Sequence, residues 1–122
     1  MTEKKQLDEL NEIAALLKAM ANPVRLAILE ELCQGAKCVQ DVQEIVDISQ
    51  PNLSQHLANL KKGNLINSYS SGPLRCYYLL NPSLVKNLLK ELKKERRITV
   101  RPRQSVIREV NRNRIKQVKK TT

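Results

Sequence analysis

The segment from Val39 to Lys62, VQDVQEIVDISQPNLSQHLANLKK, constrains the fold of this chain more than any other stretch. It starts with apolar residues at helical spacing and breaks at Asp47-Ile48. A helix can resume there because Ser49 and Pro51 both favour a first turn. In this second half, leucines at three- and four-residue spacing predict one buried face, formed by Leu53, Leu57 and Leu60. Two short helices joined by a tight turn are typical of a helix-turn-helix.

The opposite face of the second helix is polar. Its amides, hydroxyls and imidazole can hydrogen-bond base edges or phosphates, and Asn or Gln can pair with adenine through two hydrogen bonds. We therefore predict DNA contacts from the side chains at the start of this helix, which are Ser49, Gln50, Asn52, Ser54, Gln55 and His56. Lys61 and Lys62, near its end, are predicted to bind the phosphate backbone.

The segment that follows predicts a β-hairpin. LINSYS (residues 65–70) and LRCYYLL (residues 74–80) have strand character, and the turn-rich Ser71-Gly72-Pro73 joins them. A hairpin directly after a recognition helix is a wing. Arg75 lies near its tip, where it can enter the minor groove or contact phosphate.

Amphipathic segments on both sides of this region predict further helices. KQLDELNEIAALLKAM (residues 5–20) carries an apolar stripe, and Asn22-Pro23 separates it from PVRLAILEELCQ. A fifth helix begins at Pro82-Ser83, and a sixth is predicted over residues 104–120. The predicted fold is therefore mainly α with a small β-hairpin wing, a winged helix-turn-helix.

The composition favours a dimer. The core has to be aliphatic, because Phe and Trp are absent from the 122 residues. Such a core is thin for one copy of this length and gains from being shared. The first and fifth helices carry more leucine than a small core needs, and a homodimer joined through them would bury the surplus. The alternative is that both apolar stripes pack on their own subunit.

The net charge of +10 lies entirely in the tail. Residues 1–92 contain ten Lys/Arg and ten Asp/Glu, whereas residues 93–122 contain twelve Lys/Arg and two Glu. We predict a DNA-binding and dimerisation domain over 1–92 and a basic extension over 93–122. The extension is expected to contact a polyanion, most simply DNA phosphate. The alternative is a solvated tail that only aids solubility.

Several classes of protein are not expected. No apolar stretch approaches the roughly 18 residues that span a bilayer, so no membrane partner is predicted. The polar N-terminus and an odd number of cysteines indicate a cytoplasmic protein. One histidine, no Gly-rich phosphate loop and no paired carboxylates leave no catalytic set, so an enzyme is not expected.

Together these motifs resemble the ArsR/SmtB family of bacterial winged-helix repressors. The similarity covers about residues 7–92 and lies in ANPVRLAILEEL (21–32), KCVQDV (37–42), SQPNLSQHLANLKKGNLI (49–66) and RCYYLL (75–80). It implies a homodimeric repressor whose first and fifth helices form the dimer interface, and which releases its operator DNA when an inducer binds. The competing hypothesis is an interaction module that binds protein through the winged helix, or RNA through the tail. Such a module would show exposed apolar anchors on the fourth helix.

The resemblance does not extend to the usual metal sites. Arsenic-sensing members carry Cys-Val-Cys-x-x-Cys at the start of the third helix, where three soft thiolates suit a soft ion. Here only Cys38 remains, because Gln40 and Gln43 take the other two positions. The zinc set of Asp, His and Glu on the family's last core helix is also incomplete, because PSLVKNLLKELKKE has no His or Asp.

Three cysteines remain as candidate sensing residues, namely Cys33, Cys38 and Cys76. Strand pairing is expected to bring Cys76 near Cys38. One interpretation is a non-standard site for As(III) or another thiophilic ion. A second is a redox or persulfide switch formed by two of the thiols, which requires a lowered thiol pKa and a close approach of the two sulfurs. The third is that all three are small apolar core residues.

Overall fold

A computed structural model describes residues 3–94 and 99–121 and has the predicted winged helix-turn-helix fold. Its elements are α1 (Glu3–Met20), α2 (Pro23–Leu32), β1 (Lys37–Cys38), α3 (Val39–Val46), α4 (Gln50–Lys62), β2 (Ile66–Ser71), β3 (Leu74–Leu79), α5 (Pro82–Lys93) and α6 (Arg103–Thr121). Within this described part, no helix combines the length and apolarity needed to cross a membrane.

The helices begin where local sequence signals place them. Asn22 caps α2, since its Oδ1 accepts hydrogen bonds from the backbone N–H groups of Val24 and Arg25 at 2.9 and 3.1 Å. Asn81 caps α5 by accepting from the N–H of Leu84. Ser49 occupies the predicted cap position of α4, but its hydroxyl makes no capping hydrogen bond. That hydroxyl stays exposed at the start of α4.

The turn between α3 and α4 depends on one left-handed residue. Asp47 ends α3 with φ 51° and ψ 54°, and its N–H bonds to the carbonyl of Gln43 at 2.9 Å. Aspartate is among the few residues that tolerate this conformation. The reversal at Asp47 therefore sets the direction in which α4 leaves the turn.

The core is aliphatic apart from Met20 and Tyr77, and it lies between the end of α1, the helices α2 to α5 and the sheet. The α4 leucines predicted to face inward are buried, at 0–2% exposure, and are Leu53, Leu57 and Leu60. They pack with Ile28 and Leu29 of α2 in the same cluster. This packing orients the polar face of α4 outward.

The sheet has three antiparallel strands in the order β1-β3-β2. The hairpin β2–β3 is the predicted wing, and Gly72 at its tip has φ 58°, a conformation that favours glycine. β1 has only two residues, too few to show a strand pattern of its own, and its pairing with the wing was expected only from the family resemblance. Its pairing with β3 sets Cys38 opposite Cys76, as expected.

Two or more large apolar side chains remain exposed on each of α1, α5 and α6. On α1 they form a stripe that is 48–60% exposed and consists of Leu7, Leu10, Ile13 and Leu17. On α5, Leu84 and Leu92 are also exposed. α6 forms close to the predicted range, and its exposed apolar side chains are Val106, Ile107, Val110 and Ile115. These surfaces are available for contact with another molecule.

Candidate DNA interface

The polar start of α4 forms one exposed surface. Ser49, Gln50, Asn52, Ser54 and Gln55 are all exposed, and none takes part in the core. Because the leucines on the opposite side are buried, rotating α4 to hide this polar surface would expose the core. The side chains predicted to read DNA are therefore presented together at one end of a fixed helix.

His56 differs from the other predicted contacts because it is half-buried. Its Nδ1 lies 3.4 Å from Nη1 of Arg25. A guanidinium can only donate, so this nitrogen of His56 acts as the acceptor. The contact ties α4 to α2, and a DNA contact from His56 stays a prediction.

Arg25 is a positioning residue that the sequence analysis missed. Besides contacting His56, it donates from Nε to the carbonyl of Ala19 at 2.6 Å and from Nη2 to that of Lys18 at 3.5 Å. It therefore joins the end of α1, the start of α2 and the middle of α4. The one available signal was a cation within the apolar run PVRLAIL.

The wing and α4 form the two walls of a groove. Ser54, Ala58 and Lys61 line one wall, and Arg75 and Tyr77 line the other. Lys61 Nζ donates to Ser68 Oγ of β2 at 3.1 Å, which links the helix end to the wing. Arg75 is exposed. It pairs with Ser70 across the hairpin, directly next to the Ser71–Leu74 pair that flanks the turn.

The electrostatics of this surface favour an anion. No aspartate or glutamate occurs between Asp47 and Glu91, so α4 and the wing contain only cationic and neutral groups. Lys61, Lys62 and Arg75 are all exposed. The carboxylates of residues 1–92 lie before α4 or near the end of α5. The zero net charge of this segment therefore hides the cationic character of α4 and the wing.

The tail adds a second cationic surface. On α6, Arg103, Arg108, Arg112, Arg114 and Lys116 are exposed. Arg101 pairs with Glu109 at 2.6 Å and also donates to Ser105, so the chain before α6 folds along its first turns. Residues 95–98 of the predicted basic run lie outside the described residues.

The structure brings together two of the three candidate sensing cysteines. Cys38 Sγ and Cys76 Sγ are 3.1 Å apart. The hydrogen bond to Cys76 is the main reason that the pKa of Cys38 is raised, and burial, the charge of Cys76 and Asp41 act in the same direction. The pKa of Cys33 is raised chiefly by burial, against the nearby cation of Lys86. Within residues 3–94 and 99–121, no group of three His, Cys, Asp or Glu side chains is arranged to hold a metal ion.

Comparison with known proteins shows which family shares this helix-turn-helix. Residues 22–68, which include the helix-turn-helix, match the model of the bacterial regulatory protein, arsR family. The arsenical resistance operon repressor of Bacillus subtilis (strain 168) is 45% identical over 75 residues, which are 61% of this chain and 70% of the repressor. The chain belongs to the arsR family of bacterial regulatory proteins. The resemblance inferred from the sequence is thereby confirmed.

Solved structures agree with this arsR-family assignment. NolR from Sinorhizobium fredii matches with a TM-score of 0.66 and 33% identity, over 77% of this chain and 92% of NolR. A homodimeric winged helix-turn-helix DNA-binding domain from Mycobacterium bovis matches with a TM-score of 0.65 and 25% identity, over 81% of this chain and 97% of that domain. The arsR-family chain is thus a DNA-binding transcriptional regulator by family.

Proposed function

We propose that this arsR-family chain is a homodimeric transcriptional repressor, acting in the cytoplasm, that binds operator DNA through α4 and the wing. The observation that carries the proposal is the two-sided character of α4. Its leucines are at most 2% exposed. In contrast, its first turns present amide and hydroxyl groups to solvent, and the Ser49 hydroxyl makes no capping hydrogen bond.

The start of α4 is proposed to read bases in the major groove. Asn52 and Gln55 carry the donor–acceptor pairs that recognise adenine, and serine hydroxyls can bond to several base edges. The proposed base-reading set is Ser49, Gln50, Asn52, Ser54, Gln55 and His56, although His56 already has a partner in Arg25. Because these groups are neutral, they supply specificity more than affinity.

Cationic groups around α4 are proposed to supply the affinity. Lys61 and Lys62 end the helix, and Arg75 lies across the groove on the wing. The exposed arginines of α6 extend this charge into the tail, which we propose as a separate basic segment over residues 93–122. Each phosphate contact by such groups releases counterions and makes binding salt-dependent.

The proposed homodimer is formed through α1 and α5. The exposed stripe of α1 and the exposed leucines of α5 are too apolar to be left in water without cost. A two-fold dimer buries the same stripe from both copies at once and doubles the DNA surface. The Mycobacterium bovis relative, described as homodimeric, supports this arrangement.

The inducer is proposed to act on thiols. The Bacillus subtilis relative is named for arsenical resistance, and As(III) prefers thiolate ligands. Here Cys38 and Cys76 are in contact, whereas Cys33 belongs to a different group of residues with Lys86. A thiol-reactive or metalloid inducer would therefore meet a dithiol, in contrast to the three-cysteine set of arsenic-sensing relatives.

Fluorescence anisotropy of the reduced protein on DNA from upstream of its own gene, with a scrambled duplex as the control, tests this proposal over a salt series. We expect specific binding that persists at physiological salt. Equal and strongly salt-dependent affinity for both duplexes would mean that the basic tail alone binds DNA, and would contradict operator recognition by α4. The interaction-module hypothesis is not favoured, because none of the exposed large apolar side chains among the described residues lies on α4.

A further inference from the structure

We propose that Cys38 and Cys76 form a reversible intrachain disulfide, and that this bond weakens operator binding. The pair would thus be the site at which an oxidising low-molecular-weight disulfide acts on the regulator. This inference rests on the proposed function, since it names the chemistry of induction and the residues that carry it. Cys33 is not part of the proposed site.

The backbone geometry suits a disulfide. Cys38 and Cys76 are direct partners in the antiparallel pairing of β1 with β3. Directly opposed residues in such a pair have Cα atoms about 4.5–5.5 Å apart, within the range that a disulfide spans. The sulfurs are 3.1 Å apart, and the bond requires about 2.05 Å. A movement of about 1 Å is therefore enough to form the bond, and the pairing of β1 with β3 can be kept.

The two sulfurs are also reachable from solvent. Both cysteines are half-buried, so a small oxidant can meet either one. Cys33 is also half-buried, but its surroundings are Lys86, Tyr78 and the turn at Gln34-Gly35. In the described residues no second cysteine is placed against Cys33, so it serves as an internal control.

The chemistry is a thiol–disulfide exchange. The thiolate of one cysteine attacks a low-molecular-weight disulfide, forms a mixed disulfide and expels one small thiolate, which takes up a proton. The second cysteine, as its thiolate, then attacks the protein sulfur of that mixed disulfide and expels the other small thiolate. The protein loses two electrons and two protons, and the small disulfide is reduced to two thiols.

The raised pKa of Cys38 departs from the lowered pKa of a fast redox switch, and it slows attack by this thiol near neutral pH. Below that pKa the sulfur is mainly a neutral thiol, which is the less reactive form. Oxidation is therefore expected to be slow at pH 7 and faster at pH 9, which suits a response to sustained oxidation.

The bond would act directly on the DNA-binding surface. Cys38 precedes the first residue of α3, and Cys76 lies between Arg75 and Tyr77 on the wing. Arg75 lines the groove with Ser54 and Lys61, while Tyr77 is in the core behind it. Since a close-packed core transmits displacement, drawing β3 toward β1 shifts Arg75 relative to α4. We expect operator affinity to fall about tenfold, the loss typical of one specific contact.

The test compares reduced and oxidised full-length protein. Oxidised glutathione is the probe, and peptide mapping under alkylation should find Cys38 linked to Cys76 while Cys33 stays alkylated. Anisotropy should show about tenfold weaker operator binding after oxidation, restored by dithiothreitol. Formation of the linked peptide should be faster at pH 9 than at pH 7.

Single variants provide the matched controls. Cys38→Ser and Cys76→Ser should bind the operator like reduced wild type and lose the response, whereas Cys33→Ser should keep it. Cys38→Ala and Cys76→Ala serve where a serine variant unfolds, as judged by circular dichroism. A missing linked peptide, an unchanged affinity after linkage, or a full response in Cys38→Ser would each overturn the inference. Failure of the reduced protein to prefer operator DNA would instead overturn the proposed function, and the peptide map would still decide whether the bond forms.

Discussion

Gln55 tests whether α4 reads sequence. Its exposed amide lies among neutral groups, so removing it should cost base recognition and leave phosphate contacts intact. We expect Gln55→Ala to weaken operator binding by about 1–3 kcal/mol, with little change on scrambled DNA. Anisotropy on both duplexes measures the ratio of the affinity for operator DNA to the affinity for scrambled DNA. Gln34→Ala, an exposed glutamine outside the helix-turn-helix, is the control, and an unchanged ratio for Gln55→Ala would remove this role.

Arg25 tests how α4 is held in place. Its side chain contacts Ala19, Lys18 and His56, and so connects three helices. We expect Arg25→Ala to lower the free energy of unfolding by about 1–3 kcal/mol, because carbonyl oxygens of α1 and the ring of His56 lose a donor. Urea denaturation measures this loss.

Arg25→Lys separates charge from geometry in the same experiment. A lysine keeps the positive charge but cannot donate from a rigid fork to several acceptors. We expect it to recover only part of the lost stability. Full recovery would show that charge alone, and not the shape of the guanidinium, holds these helices together.

At the scale of elements, α1 and α4 touch at Gly63. A Cβ added to Gly63 would lie 2.6 Å from Cβ of Ala19, closer than side chains tolerate. The φ of Gly63 is −78°, so the constraint is space and not backbone conformation. We expect Gly63→Ala to destabilise the fold by about 1–3 kcal/mol, measured by urea denaturation.

A compensating substitution makes this prediction specific. Ala19→Gly removes the atom that the new methyl group would meet. We therefore expect the double variant to be more stable than the sum of the two single losses predicts. Additive losses of unfolding free energy would mean that the new methyl group clashes with an atom other than Cβ of Ala19.

At the scale of the whole molecule, the apolar stripe of α1 is proposed to form the dimer interface. We expect Leu10→Glu to convert a dimer to a monomer, since a buried carboxylate on the two-fold contact would lose hydration and meet its copy. Light scattering with size-exclusion chromatography measures the mass. Ala15→Glu, also exposed on α1 but off the stripe, should remain dimeric. A dimeric Leu10→Glu would place the interface elsewhere.

The basic tail is predicted to affect affinity but not specificity. Ending the chain after residue 95 should weaken binding to every duplex and flatten the salt dependence by about one unit of slope per lost phosphate contact. Replacing Arg108, Arg112, Arg114 and Lys116 with glutamine keeps the length of α6 and is the matched control. An unchanged slope in both variants would mean that the tail does not touch phosphate.

Local patterns in the sequence determined much of this architecture. The leucine spacing of α4, the caps at Asn22 and Asn81, and the glycine-containing wing turn each act within a few residues, so they can be recognised without a structure. The polar character of α4 follows in the same way, because burying Leu53, Leu57 and Leu60 leaves its other face in solvent. The family and the general function could be inferred from these features.

Only the tertiary structure decided the contacts between distant parts of the chain. Cys38 meets Cys76 across 38 residues, and Arg25 meets His56 across 31. The two-residue strand β1 has no pattern of its own and forms because β3 offers hydrogen-bonding partners. Such pairings depend on how helices and strands assemble around the shared core, which no local spacing encodes. The sequence by itself therefore determined what surface α4 presents, and the assembled fold determined which thiols meet and how that surface is held.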